Sequence, residues 1–255
     1  MTTLTKDFPW EAPVPEGKAA LWFLGQAGYY FKTDRCTAII DPYLSDSAGR
    51  GGPNARVYPP PVDPASLKAD IVLITHDHID HLDPMTLEPY AYKNETVFIA
   101  PRLAAKKLRA IGIPDRQITV VDHAGTATLP GVRIDGVFAL ANGPDVLDTC
   151  GYLLTFDNGK TVYHTSDAVP CKLMLRACPK DVDVLLTCIN GKYGNLHIDD
   201  AVELTLAVRP KTVIPNHYDV MPLNSENPES FRYFLKGAKA QAECVILGPL
   251  ERYIW

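Results

Sequence analysis

The sequence predicts an α/β sandwich in which two β-sheets face each other and helices cover them. Three observations carry that reading. Apolar runs of strand length fill both halves of the chain. Each half also contains segments with helical spacing set between those runs, the pattern of a layered α/β domain. Histidines and aspartates stand where apolar runs stop, and α/β folds place their sites beyond strand ends.

The elements follow in order. The proline-rich stretch 1–18 is read as an irregular arm, and the chain as one domain over 1–255. AALWFL (19–24) and GYYFKT (28–33) are strands around the turn GQAG. That turn is only G-x-x-G with no helix pattern after it, so it does not make a dinucleotide site. TAIIDPYL (37–44) is a third strand, ending in a turn at Asp41-Pro42. Residues 45–66 form a long Gly/Pro/Ser-rich loop of the kind that often serves function, and its Arg50 and Arg56 could select an anionic substrate. ADIVLIT (69–75) reads as a strand buried on both faces. ETVFIAP (95–101), a helix over 102–113 and QITVVD (117–122) come next. From about 127 the pattern becomes short strands, GVRIDGVFAL, CGYLLTF and KTVYHT, with Asp157-Asn158-Gly159 as a hairpin turn. VDVLLTCI (182–189) is another buried strand, followed by a helix over 199–210 with acidic residues in its first turn. A strand over 211–216, a helix over 228–242 and a strand over 243–249 complete the chain.

Composition narrows the class. The formal net charge of −5 is not that of a polyanion binder, which counts against nucleic acid as a partner. The six cysteines, Cys36, Cys150, Cys171, Cys178, Cys188 and Cys244, are scattered and form no C-x-x-C pair. They read as small buried apolar residues of a reducing compartment. The first residues lack the basic and apolar regions of a signal peptide, and no apolar run reaches membrane-span length. The expectation is a cytoplasmic protein that makes no membrane contact and acts on a small molecule.

THDHIDHLD (75–83) concentrates the chemistry. His76, His78, Asp80 and His81 give the spacing H-x-H-x-D-H at the end of a strand. Two residues apart in extended chain, His76 and His78 share a face. Imidazole nitrogens with carboxylate oxygens suit Zn, Mn or Fe, and the lack of cysteine argues against a structural zinc knot. A short loop cannot fill a metal site alone. His217 after KTVIPN and Asp167 after KTVYHT also sit at strand ends and are the further candidate ligands.

The stretch T75-HDHIDH-81 resembles the signature of the metallo-β-lactamase fold superfamily. With GQAG (25–28), IDPYL (40–44), YHTSDA (163–168), NGKYGN (190–195) and PKTVIPNHYD (210–219), the chain resembles the branch that contains L-ascorbate-6-phosphate lactonase, over roughly residues 20–219. The resemblance implies a four-layer αβ/βα sandwich of two mixed β-sheets flanked by helices. It implies one or two divalent ions, Mn or Zn with Fe as a further option, and a homo-oligomer. It places His76 and His78 on one metal, Asp80 and His81 on the other, Asp167 as the bridging carboxylate and His217 on the second metal. One departure stands out. The segment 138–148 before the bridging aspartate holds no histidine, where many members have one. Asn142, Asp145 or Asp148 could take the place, or it could be vacant. Ser166 also replaces the usual glycine before that aspartate.

A divalent metal brings the pKa of a bound water toward neutrality and polarises a carbonyl. Asp80 is the candidate general base. Tyr193 is the candidate donor to a developing oxyanion, and His197 a candidate proton donor. Lys192 and Asn195 are candidate substrate contacts, and His164 is expected to orient ligands from behind. The function expected is a metal-dependent hydrolase of a small, anionic metabolite, with a sugar-derived lactone phosphate such as L-ascorbate 6-phosphate as the specific case. The alternatives are a phosphodiesterase or nuclease on the same fold, and a non-catalytic metal-binding protein.

Overall fold

The computed structural model describes residues 8–143, 146 and 148–255. The sequence reading of residues 1–7 as part of an arm lies outside the described residues, as does its candidate Asp145. The strands are β1 (Ala20–Gly25), β2 (Gly28–Lys32), β3 (Thr37–Ile40), β4 (Ile71–Leu73), β5 (Val97–Ala100), β6 (Ile118–Val120) and β7 (Thr126–Leu129). They continue as β8 (Val132–Phe138), β9 (Cys150–Phe156), β10 (Thr161–His164), β11 (Val184–Cys188), β12 (Thr212–Asn216), β13 (Glu243–Cys244) and β14 (Arg252–Ile254). The α-helices are α1 (Pro84–Leu87), α2 (Arg102–Ala110), α3 (Lys172–Ala177), α4 (Ile198–Val208) and α5 (Pro228–Gly237).

Two seven-stranded sheets result, ordered β14-β1-β2-β3-β4-β5-β6 and β13-β12-β11-β10-β9-β8-β7. Each is mixed in the same way. The run β14-β1-β2-β3 is antiparallel and β3 to β6 are parallel. The run β7 to β10 is antiparallel and β10 to β13 are parallel. The architecture is two mixed sheets flanked by helices, as the sequence predicts.

Side-chain alternation builds the layers. Along β1, Leu21 and Phe23 point into the core between the sheets, where they join Tyr152, Leu154, Phe156 and Leu186 of the other sheet. Ala20, Trp22 and Leu24 point the other way and pack with Ala104, Ala105 and Leu108 of α2. On the second sheet's outer face Tyr163, Leu185 and Val213 meet Met174, Leu204, Val208, Phe231 and Leu235 of α3, α4 and α5. The parallel strands β4 and β11 are covered on both faces, so every residue in them is buried.

Helix α5 stops at Gly237, short of the predicted end at 242. Strand β13 keeps only two residues of the predicted seven. Beyond it the Tyr218 hydroxyl takes the place of a strand partner, donating to Leu247 O at 2.6 Å and accepting from Leu247 N at 3.0 Å. The short elements α1, α3, β7 and β14 carry too few residues to show a period, and the sequence reading names none of them. Among the described residues, no helix is long and apolar enough to cross a membrane.

Candidate functional site

Strands of both sheets end at one place. Leaving β4, the chain delivers Thr75, His76, His78, Asp80 and His81; leaving β10 and β12 it delivers Asp167 and His217. All six expected ligands converge. His76 Nε2 lies 3.0 Å from His78 Nδ1. His81 Nε2 lies 3.4 Å from Asp167 Oδ1 and 3.9 Å from Asp80 Oδ2. His217 Nε2 lies 2.7 Å from Asp167 Oδ1. Ligand atoms gather in two overlapping groups, His76/His81/Asp167 and Asp80/His81/His217, each within 4.8 Å.

These groups fit a divalent cation on their own chemistry. The 2.7 Å approach of His217 to Asp167 lacks hydrogen-bond geometry, so His217 Nε2, His81 Nε2 and Asp167 Oδ1 are all buried without a hydrogen-bond partner. Buried polar atoms left unpaired are costly, and a cation between them resolves all three at once. Burial and charge act in opposite directions on different members of the cluster. Burial lowers the His76 pKa well below the usual histidine value, and the neighbouring His81 adds to it. Burial also disfavours charge on His81, but Asp167, Asp41 and Asp80 outweigh it and raise that pKa well above normal. Burial pushes Asp167 up, yet His217 and His81 hold it well below the carboxylate range.

The ligands are held from behind, and two of the residues that hold them, Asp41 and Gln26, have no site role in the sequence reading. Asp41 accepts from Thr75 N at 2.8 Å and Thr75 Oγ1 at 2.7 Å, and lies 2.8 Å from His81 Nδ1. A carboxylate there fixes the proton on Nδ1 and turns Nε2 toward a metal. Gln26, from the GQAG turn, donates to Asp80 Oδ2 at 2.8 Å and sits 3.0 Å from His217 Nδ1. Its carbonyl also accepts the His217 N–H at 2.9 Å. Two carboxamide relays complete the frame. Asn142 donates to Asn195 at 2.5 Å, which donates to Asp167 Oδ2 at 2.7 Å. Asn190 donates to Asn224 at 2.6 Å, whose amide reaches Asp80 Oδ2 at 3.4 Å. A polar residue between the glycines of the turn, and an aspartate at the end of an apolar run, were the available signals for Gln26 and Asp41.

The other expected residues fall out differently. Asn195 is buried on Asp167, so it supports a ligand rather than facing a substrate. Tyr193 is 67% exposed and lines the cleft beside the ligands. Lys192 and His197 are exposed and are not among the described residues lining it. His197 opens α4, its N–H donating to Asp200 at 3.0 Å. His164 is buried beneath the site, 3.0 Å from Ala27 O and accepting from Ser166 N at 3.0 Å, and burial lowers its pKa. Where 138–148 lacks a histidine, Asn142 reaches the cleft. Asp148 instead accepts from Leu103 N at 2.6 Å, at the start of α2. In the long loop Ala48 and Asn54 line the cleft, and neither Arg50 nor Arg56 does.

The cleft over the ligands has a volume of about 420 Å³. His78, Asp80 and Asp167 form its reactive end, and among the described residues Asn54, Asn142, Tyr193 and Asn224 are the other polar side chains around it.

Fold, ligand cluster and cleft define a class, and the comparisons agree with it. Residues 37–218 match the family described as beta-lactamase superfamily domain. The chain belongs to the metallo-β-lactamase superfamily and is a metal-dependent hydrolase within it. It is 32% identical over 243 residues to a UPF0173 metal-dependent hydrolase of Archaeoglobus fulgidus, covering 91% of this chain and 96% of that one. A second such relative, from Thermococcus kodakarensis, is 31% identical over 244 residues, covering 90% and 96%. The solved structure of a metallo hydrolase from Ignicoccus hospitalis shares the fold, with a TM-score of 0.73 at 24% identity over 93% of this chain and 98% of that chain.

Proposed function

We propose that the chain hydrolyses a small lactone or ester by delivering water to its carbonyl carbon. The observation that carries this reading is the reactive end of the cleft, where Asp80, itself a member of the ligand cluster, has one oxygen held by Gln26. A metal held by His76, His78, Asp80, His81, Asp167 and His217 supplies Lewis acidity and a lowered water pKa. Asp80, anchored at Oδ2, takes the proton of the attacking water and returns it to the leaving oxygen. Tyr193 donates a hydrogen bond to the oxyanion as the carbonyl becomes tetrahedral. Asn195 keeps Asp167 aimed at the ligand cluster throughout.

The sequence resemblance supplies L-ascorbate 6-phosphate as a first compound to assay, and Mn(II) and Zn(II) are the metals to load. The test is hydrolysis of that compound, of unphosphorylated lactones and of aryl esters, with a phosphodiester for contrast. Lactone or ester turnover is expected, and Asp80→Ala should lower it by about 10²–10⁴-fold. A sample with stoichiometric metal that leaves every lactone and ester intact would sink the reading.

A further inference from the structure

We infer that the part of the substrate away from the reacting carbonyl is uncharged and rich in hydroxyl or amide groups. The inference rests on the hydrolase reading and names its substrate class. Apart from the metal ligands, the polar side chains lining the cleft among the described residues are three carboxamides and a phenol: Asn54, Asn142, Asn224 and Tyr193. None of them is cationic.

The carboxamides are only partly engaged. Asn54 Nδ2 has Met221 Sδ at 3.7 Å, a weak acceptor. Asn224 Nδ2 has Asp80 Oδ2 at 3.4 Å, near the outer limit for a hydrogen bond. Asn142 Oδ1 is buried and accepts nothing. Amide donors and the Tyr193 hydroxyl, which can both donate and accept, therefore surround one small space. That mixture matches hydroxyl or amide groups, which both give and take hydrogen bonds. A phosphate or carboxylate only takes them.

Of the nearby cations, Lys192 is exposed outside the cleft lining, and Arg56, Lys107 and Arg50 are each held at least in part by backbone carbonyls. Arg56 lies over the rings of Tyr43 and Tyr58, donating to Tyr43 O at 2.8 Å and to Tyr58 O at 3.3 Å. Lys107 donates to Asp77 O at 2.6 Å, and Arg50 to Ser47 O at 3.2 Å. An anion needs charge-assisted partners, roughly twice as strong as neutral ones, to offset its lost hydration. Among the described residues the cleft lining offers an anion no lysine or arginine, and at the metal it would compete with the reacting carbonyl. The carboxylates of Asp80 and Asp167 at the same end add repulsion. At about 420 Å³ the space sits in the lower part of the roughly 300–1,000 Å³ range of small-molecule sites.

The experiment compares a panel of uncharged hydroxy-lactones with their own phosphate esters on the metal-loaded protein. The non-hydrolysable lactams of each pair are titrated by calorimetry alongside. The uncharged lactone should have a kcat/KM at least about tenfold above its phosphate, and Asn54→Lys should shrink or reverse the ratio by adding a charge-assisted donor. Equal or better turnover of the phosphates overturns the inference and leaves the hydrolase reading standing. If nothing is turned over, the lactams decide. Tighter binding of the uncharged lactam upholds the inference and removes the lactonase reading. Tighter binding of the phosphorylated lactam, or binding of neither, overturns the inference.

Discussion

Gln26, Asp41, Ser166 and His217 all hold a positive φ, at 58°, 44°, 64° and 59°. For an L-residue the left-handed region costs roughly 1–2 kcal/mol. Four such residues around one cluster are held there by the hydrogen bonds of their neighbours. The φ of Ser166 also explains why glycine suits that position, and its Oγ lies 3.4 Å from His76 Nδ1. Asp41 shows what such placement achieves. It is fully buried and touches Thr75 twice and His81 once. Asp41→Asn keeps the shape but sets an amide N–H₂ against one of those donors. Metal affinity should fall by about 10–100-fold, the usual effect of losing a ligand's outer partner. Competition with a chromophoric chelator measures it. Unchanged affinity in the folded variant would remove Asp41 from the metal site. The ligands themselves were legible because three histidines crowd six positions in a chain with only seven. Gln26 was not, because its partners Asp80 and His217 lie 54 and 191 residues away in sequence. No local pattern encodes such a contact.

At the scale of elements, the parallel strands that carry the site are tied together at their starts as well as at their reactive ends. Asp183, just before β11, accepts from Thr161 N at 2.8 Å on β10 and from Lys211 Nζ at 2.6 Å beside β12. Burial pushes its carboxyl up, but the bonds from Lys211 and Thr161 outweigh that and bring it below the usual range. A carboxylate lowered in the folded state stabilises at pH values above its unfolded pKa of about 3.9. That stability is lost as pH falls through the folded value. Asp183→Ala should therefore cost about 2 kcal/mol at pH 7, where charged hydrogen bonds contribute roughly 1.5–3 kcal/mol. The gap from the wild type should close below about pH 4. Urea melts at pH 7 and in acid give both numbers, and a gap that stays constant with pH would refute the assignment. Long elements were readable by period: β1, β9, α2 and α4 emerge close to their predicted places. α3 has only six residues and β14 three, so tertiary packing rather than any repeat decides them.

For the whole molecule, the ligand cluster is a seam between the two sheets. The loop after β4 brings His76, His78, Asp80 and His81 from the first sheet, while Asp167 and His217 come from the second. Backbone bonds cross the same seam, from His217 N to Gln26 O at 2.9 Å and from Cys150 N to Thr75 O at 3.0 Å. A metal bound by both sides exists only when the sheets are docked, so its binding energy becomes folding energy. Free metal at 100 times its Kd then adds about 2.7 kcal/mol of stability. In a domain of this size each kcal/mol moves Tm by roughly 2–4 °C, so chelation should lower Tm by about 5–11 °C. Raising the metal concentration should restore it logarithmically. Asp167→Ala removes the carboxylate that touches both His81 and His217, and in that variant Tm should respond little to metal or chelator. If wild-type Tm were unmoved by chelation while elemental analysis showed the metal gone, the cluster would not be joining the halves. The two sheets would then be held by the hydrogen bonds across the seam and by the shared apolar core, with Phe23, Tyr152 and Leu186 among the residues that fill it.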